Sequence, residues 1–285
     1  MPKPKHPIFR AVWWSCNLFV AVALIAVVYA GYREFAIRWY LDGFSDAIVP
    51  SIMPAEPKVQ AFLDWMRIEP SRAPGNPDGL STRDPHVTLN YQKLLQVCGT
   101  ATNAFLNLAR EDDLRVRRLL LLSPDGNTKH VVAEVLIDGR WIVVDPTYHV
   151  IMRDKSGRML TRADLQRQDL FAQATSSIPN YPREYTYDRV THVRMARLPI
   201  AGRHLGRLFD AAHPAWEEAV DWSLLLERES FFYLVLASSV FLFLLAFRQI
   251  LGWYADSMLR TPRFHFRENL MRASVAFFST PEIKE

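Results

Sequence analysis

Residues 129–150 read KHVVAEVLIDGRWIVVDPTYHV. Two apolar runs rich in β-branched residues flank Asp138-Gly139, a favoured two-residue hairpin loop. That loop fixes the register. Ile137 pairs with Arg140, Leu136 faces Trp141, Glu134 faces Val143, Val132 faces Asp145 and His130 faces Thr147. Side chains alternate between faces along a strand, so His130, Val132, Glu134 and Leu136 share a face with Trp141, Val143, Asp145 and Thr147. His130 and Asp145 become diagonal neighbours, roughly 7–8 Å apart at the backbone and within side-chain reach. A slip of one residue would put them on opposite faces.

A carboxylate beside a histidine fixes the tautomer and supports the imidazolium. That is useful if another group gives the histidine its proton. For two arbitrary residues, the plainer reading is a satisfied pair at a sheet end. Cys98 changes the comparison. It opens CGTATNAFLNLAR, residues 98–110, which reads as a helix with Ala101, Ala104, Phe105 and Leu108 as its apolar stripe. A helix start favours a thiolate. The plain alternative for Cys98 is a small buried hydrophobe.

The elements around this centre suggest α+β with an antiparallel sheet. Residues 33–67 look helical. Residues 69–86, rich in Pro and Gly, form a loop. Leu114–Ser123 reads as a strand, followed by a turn at Pro124-Asp125-Gly126-Asn127. Residues 161–172 read as helix, and a further strand is expected near Val190–Arg197. PAWEEAVDWSLLLERE, residues 214–229, reads as a helix that runs into a second apolar segment.

The 285 residues carry a net charge of +4, unevenly placed. Residues 1–32 hold three basic and no acidic residues, 33–229 hold 25 basic against 26 acidic, and 230–285 hold six against four. A nucleic-acid binder concentrates its charge on the folded domain, so none is expected here. Basic ends beside apolar segments are membrane flanks. Ala11–Tyr32 is about long enough to cross ~30 Å of hydrocarbon; Phe231–Phe247 is near the lower limit for a span, and Ile250–Tyr254 extends it if Arg248 snorkels. Trp13, Trp14, Trp39, Tyr40, Phe231, Phe232, Trp253 and Tyr254 crowd their ends, as interfacial belts do. Val28-Tyr29-Ala30 also reads as a signal-peptide cleavage site. The alternative for the second run is a buried core helix.

The expected organisation is a cytoplasmic tail (1–10), a span (11–32), an extracytoplasmic domain (33–229, core about 90–200), a second span (230–252) and a cytoplasmic tail (253–285). This places the chain in the inner (plasma) membrane with the domain in the periplasm or exterior. The tail with Arg260, Arg263, Arg267 and Arg272 reads as a helix on anionic lipid or a solvated tail. With Cys16 in lipid and Cys98 outside, no disulfide is expected.

Residues 97–147 resemble the core of the transglutaminase-like superfamily, a papain-like arrangement. The matching stretches are VCGTATNAFLNLAR, VRRLLL and HVVAEVLIDGRWIVVDPT. In the last, His130 is followed by Glu134, then Gly139-Arg140-Trp141, then Asp145-Pro146-Thr147. The resemblance covers about 50 residues. It departs from the family pattern at Gln96, at Asp113–Arg117 and at Val132.

The resemblance implies a thiol enzyme acting on amide bonds. Cys98 would be the nucleophile, His130 the base and acid, and Asp145 the orienter, with a protein or peptide substrate. Hydrolysis and cross-linking both stay open. The Cys98 backbone N–H is one candidate oxyanion donor, and Gln92 is either the second or a surface residue. Glu134 would line the cleft or form a rim salt bridge. His149 sits off the family's base position. His86, His192, His204 and His213 show no metal-ligand spacing, Asp42, Asp46 and Asp64 make no calcium loop, and no cofactor is expected. The alternative function is a silent relative binding a partner in cell-envelope or exopolysaccharide machinery.

Overall fold

In the computed structural model, residues 7–50, 52–68, 79–193, 209, 211, 213, 216–219, 221–259 and 275 are described. The chain divides into two units, one of residues 1–29 with 236–285, the other of residues 30–235. The protein is mixed α+β, with an antiparallel five-stranded sheet and two long apolar helices.

The first long helix, α1, spans Pro7–Ile48, so residues 33–48 continue the first apolar run instead of starting a new helix. Pro50 and Pro54 lie between it and α2, Ala55–Ile68; their fixed φ and missing N–H suit a break. Short helices α3, Pro85–Asn90, and α4, Gln92–Leu95, lead to α5, Cys98–Glu111. Asp84 caps α3 through the His86 N–H, so the expected loop ends earlier than residue 86. Its residues 69–78 lie outside the described residues.

The sheet follows: β1 Val116–Leu122, β2 Thr128–Ile137, β3 Arg140–Asp145 and β4 Val150–Ile151. Next come α6, Arg162–Leu165, α7, Gln168–Thr175, and β5, Val190–Thr191. Residues 194–197 of the last expected strand lie outside the described residues. The strand order is β4-β3-β2-β1-β5.

The β2–β3 register follows the Asp138-Gly139 turn. Ile137 pairs with Arg140, Leu136 with Trp141 and Glu134 with Val143. Asp138 and Gly139 have φ of 49° and 75°, the left-handed conformations that this tight turn demands. The ladder stops at Ala133–Val144, so the expected pairs Val132–Asp145 and His130–Thr147 are not part of it. Asp145 instead pairs with Val150 of β4.

Each sheet face has its own core. Ala133, Val135, Ile142 and Val144 pack with Ala101, Ala104, Phe105 and Leu108 of α5, and with Phe62 and Leu63 of α2. The other face carries Leu119, Leu121, Val132 and Val143, covered by Leu160, Leu165, Tyr181 and Tyr187.

The segment after residue 214 is not one helix. It holds α8, Trp216–Ala219, and α9, Trp222–Glu227, followed by α10, Glu229–Ser257. Asp221 restarts the helix by accepting from the Ser223 and Leu224 N–H groups, and Arg228 is extended. Its guanidinium, only 2% exposed, binds Glu34 at 3.0 Å, Glu111 at 2.7 Å and the Asn107 side chain at 2.8 Å. Ser230 Oγ donates to the other Glu34 oxygen at 2.6 Å. An arginine with this many acceptors needs a backbone that turns it inward, and the helix breaks to supply one.

Helices α1 and α10 are long and apolar enough to cross a membrane, and only 11% and 6% of their most apolar windows are buried. A core helix would be mostly covered. Cys16 and Ala23 in the first unit and Ala30 and Ile37 in the second are buried positions of α1. Within the first unit, Arg248 Nε donates to Asn17 Oδ1 at 2.8 Å and its guanidinium lies over Trp13, so its head group is held by neighbours instead of reaching outward alone. Both cysteines are free. Residues 260–274, with the tail's four arginines, lie outside the described residues.

Candidate functional site

Three elements bring the predicted residues together. Cys98 is the first residue of α5, with Val97 in extended conformation before it and no side-chain cap. The first N–H groups of α5 are therefore unspent by the helix itself. The β2–β3 ladder closes at Ala133, so the start of β2 extends beyond it. Here α5 docks: Thr102 Oγ1 donates to the Val131 carbonyl at 3.0 Å. Residue 130 is thereby set beside the head of the helix.

His130 is 1% exposed and Asp145 is fully buried. His130 Nε2 lies 2.7 Å from Asp145 Oδ2. The other carboxylate oxygen, Oδ1, accepts from the N–H groups of Thr147 at 3.1 Å and Tyr148 at 3.3 Å. Asp145 is thus the head of a side-chain-to-backbone turn, which fixes its carboxylate where β3 ends. Nδ1 of His130 is buried without a hydrogen bond of ordinary geometry. Cys98 meets the ring in a looser contact, and the two groups shift one another's titration.

The electrostatics agree with an ion pair. Hydrogen bonding to His130 lowers the Cys98 pKa; burial opposes this, and the imidazolium charge and the Val131 and Gly99 backbone add to the lowering. For His130, burial alone pushes the imidazole down, but the Asp145 and Cys98 hydrogen bonds and charges outweigh it and raise the pKa to about 9. A thiolate beside an imidazolium is a nucleophile with its proton parked next door.

Sequence reasoning missed the aromatic residues around this pair. Tyr185 stacks on the His130 ring at 4.3 Å and 6°, while Tyr148 and Tyr181 meet it edge-on at 6.1 and 6.4 Å. Tyr181 also donates its hydroxyl to Asp145 Oδ2 at 3.2 Å. For Tyr181 and Tyr185 the signal was the density of tyrosine in YPREYTY, residues 181–187, and Tyr148 lies three residues after Asp145.

The other residues considered are placed as follows. Glu134 forms the expected salt bridge, to Arg117 at 2.7 Å, but it is 1% exposed and so lies in the interior instead of at a rim or lining the cleft. Strand alternation carries it inward under its neighbours. His149 has φ 55° and helps turn the chain between β3 and β4. His86 stacks on Tyr40 at 3.9 Å. His192 is buried, its Nδ1 2.7 Å from the Arg118 carbonyl. His204 lies outside the described residues. Gln92 is half-buried in α4. Among the described residues, no group of three or more His, Cys, Asp or Glu is placed to hold a metal ion.

Comparison with protein-family models, with curated proteins and with solved structures finds no match to this chain.

Proposed function

We propose that this protein is a membrane-anchored, transglutaminase-like thiol enzyme that acts on amide bonds, with a papain-like core built on α5 and the sheet. The observation that carries this reading is the buried 2.7 Å His130–Asp145 pair with Cys98 beside it at the head of a helix. Two apolar helices with basic flanks support an inner-membrane anchor. In this reading both termini are cytoplasmic, the domain faces the periplasm or exterior, and the substrate is a protein or peptide.

The chemistry then runs as follows. The Cys98 thiolate attacks an amide carbonyl, forming the C–S bond and moving the π electrons onto oxygen. The Cys98 backbone N–H is a donor for that oxyanion. Collapse breaks the C–N bond, and the His130 imidazolium protonates the departing amine. A thioester remains. His130, now neutral, takes a proton from water or from an amine as it attacks the thioester carbonyl; the C–S bond then breaks with its electron pair returning to the Cys98 sulfur, which gives hydrolysis or acyl transfer and restores the thiolate–imidazolium pair. Asp145 holds the imidazole throughout.

The test is the rate of Cys98 alkylation by a small haloacetamide across pH, in a Cys16→Ala background. Fast labelling with an apparent pKa well below ~8.5, lost in His130→Ala, is expected. Labelling at the ordinary thiol pKa, unchanged in His130→Ala and Asp145→Asn, would sink the enzyme reading. The coverage of His130 by Tyr185 is the observation that favours a second reading, a silent relative that binds a cell-envelope partner.

A further inference from the structure

Asp145 Oδ2 accepts from two donors, His130 Nε2 at 2.7 Å and the Tyr181 hydroxyl at 3.2 Å. Oδ1 accepts from two more. Four donors fill the four lone-pair positions of a carboxylate, and Asp145 has no exposed surface, so water does not compete. Two donors on one oxygen divide its charge. We propose that Tyr181 is a positioning residue that shares Asp145 with His130, and so keeps the imidazolium acidic enough to release its proton. This rests on the thiol-enzyme reading and deepens it.

Tyr181 is suited to the part. It is 9% exposed and packs on Tyr148 at 4.7 Å and beside Tyr185 and Phe171, which fixes its ring. Burial first, then the neighbouring Tyr187 and Asp145, push its hydroxyl pKa up, so it stays a donor. The other titratable groups near His130 are Cys98 from α5 and Tyr148 and Tyr185 from the flanking turns. At the rim, Lys129 binds the Glu184 carbonyl. Of the three tyrosines in contact with the ring, Tyr181 has a hydroxyl on Asp145.

The experiment is a titration of His130 by 15N-histidine NMR on the full-length protein in detergent micelles, with the resonance assigned by its loss in His130→Ala. Tyr181→Phe removes the second donor and leaves Asp145 wholly to His130. The His130 pKa should rise by about half a unit to one unit, the effect of one hydrogen bond. A fluorinated tyrosine at position 181, a stronger donor, should move it down. Tyr185→Phe, which keeps the stack, should leave it in place. No change in Tyr181→Phe, a fall, or an equal shift in Tyr185→Phe overturns the proposal while leaving the thiol-enzyme reading intact. A wild-type His130 that titrates near 6.5 and ignores Cys98→Ala removes both.

Discussion

Two histidines are buried on this sheet beside a carboxylate, and they end up on opposite sides of neutrality. His130 is held up at about 9 because the Asp145 and Cys98 interactions outweigh burial. His192 is 4% exposed and its Nε2 is 3.6 Å from Glu134, yet its pKa is lowered. Burial is the first cause there, and Arg117 and Arg162 add to it. Glu134 has already given its charge to Arg117 at 2.7 Å. A histidine gains a proton from a carboxylate that has no other cation, and loses it beside one that does. The first arrangement fits the chemistry proposed above and the second fits packing.

The largest effect expected from this contrast is structural. Glu134→Ala strips Arg117, which is 10% exposed at its side chain, of its closest carboxylate among the described residues, leaving the more distant Glu218 at 3.4 Å. Unfolding in micelles should show a loss of about 3 kcal/mol, with Cys98 labelling unchanged. A shift in the labelling profile would show that the two centres are coupled.

Next is the charge centre. Asp145→Asn should cut the alkylation rate of Cys98 at pH 6 by at least tenfold, one unit of thiol pKa, while His192→Gln leaves the rate alone. Equal effects from the two would erase the distinction.

The pH dependence of stability sharpens it further. A lone histidine raised to about 9 gives stability that is full below its unfolded pKa of ~6.5 and lost as pH rises through about 9. The depressed Cys98 pKa acts with the opposite sign, since thiolate formation in the folded state is gained as pH rises. Between ~6.5 and ~8.5 the folded pair and the unfolded pair each hold one proton, so the wild type should be flat there. Cys98→Ala removes the compensation, and its stability should fall as pH rises over that window. A flat Cys98→Ala profile would mean His130 is not raised without the thiolate.

His192 supplies the smallest effect. Its folded pKa lies below ~6.5, so stability is lost as pH falls through ~6.5 toward that lower value. His192→Gln should flatten part of that acid-side loss, as denaturation at pH 5 and 7 would show.

Much of the centre was legible in residues 129–150. Asp138-Gly139 sets the register, the register sets the faces, and a helix-start cysteine was visible from the Ala101, Ala104, Phe105, Leu108 stripe. What escaped lay where no periodicity speaks. Tyr181 and Tyr185 reach His130 from an irregular segment more than 50 residues away. Glu134 read as a cleft or rim residue because alternation gives its face but not what covers it. Arg228 read as helical because helix propensity cannot see Glu34, which lies 194 residues earlier. The two long apolar helices were legible by length and composition alone, and the break at Arg228 was not.

That break decides where the protein can be cut. Hydropathy alone would trim a soluble fragment to residues 33–229, and such a fragment stops one residue short of Ser230, the second donor to Glu34. Arg228 would keep its acceptors but sit at a loose chain end. A fragment of residues 30–235 follows the second compact unit and carries the whole knot of Glu34, Asn107, Glu111, Arg228 and Ser230. The useful boundary for a crystallographer or an enzymologist is therefore set by one guanidinium and lies inside the apolar helices.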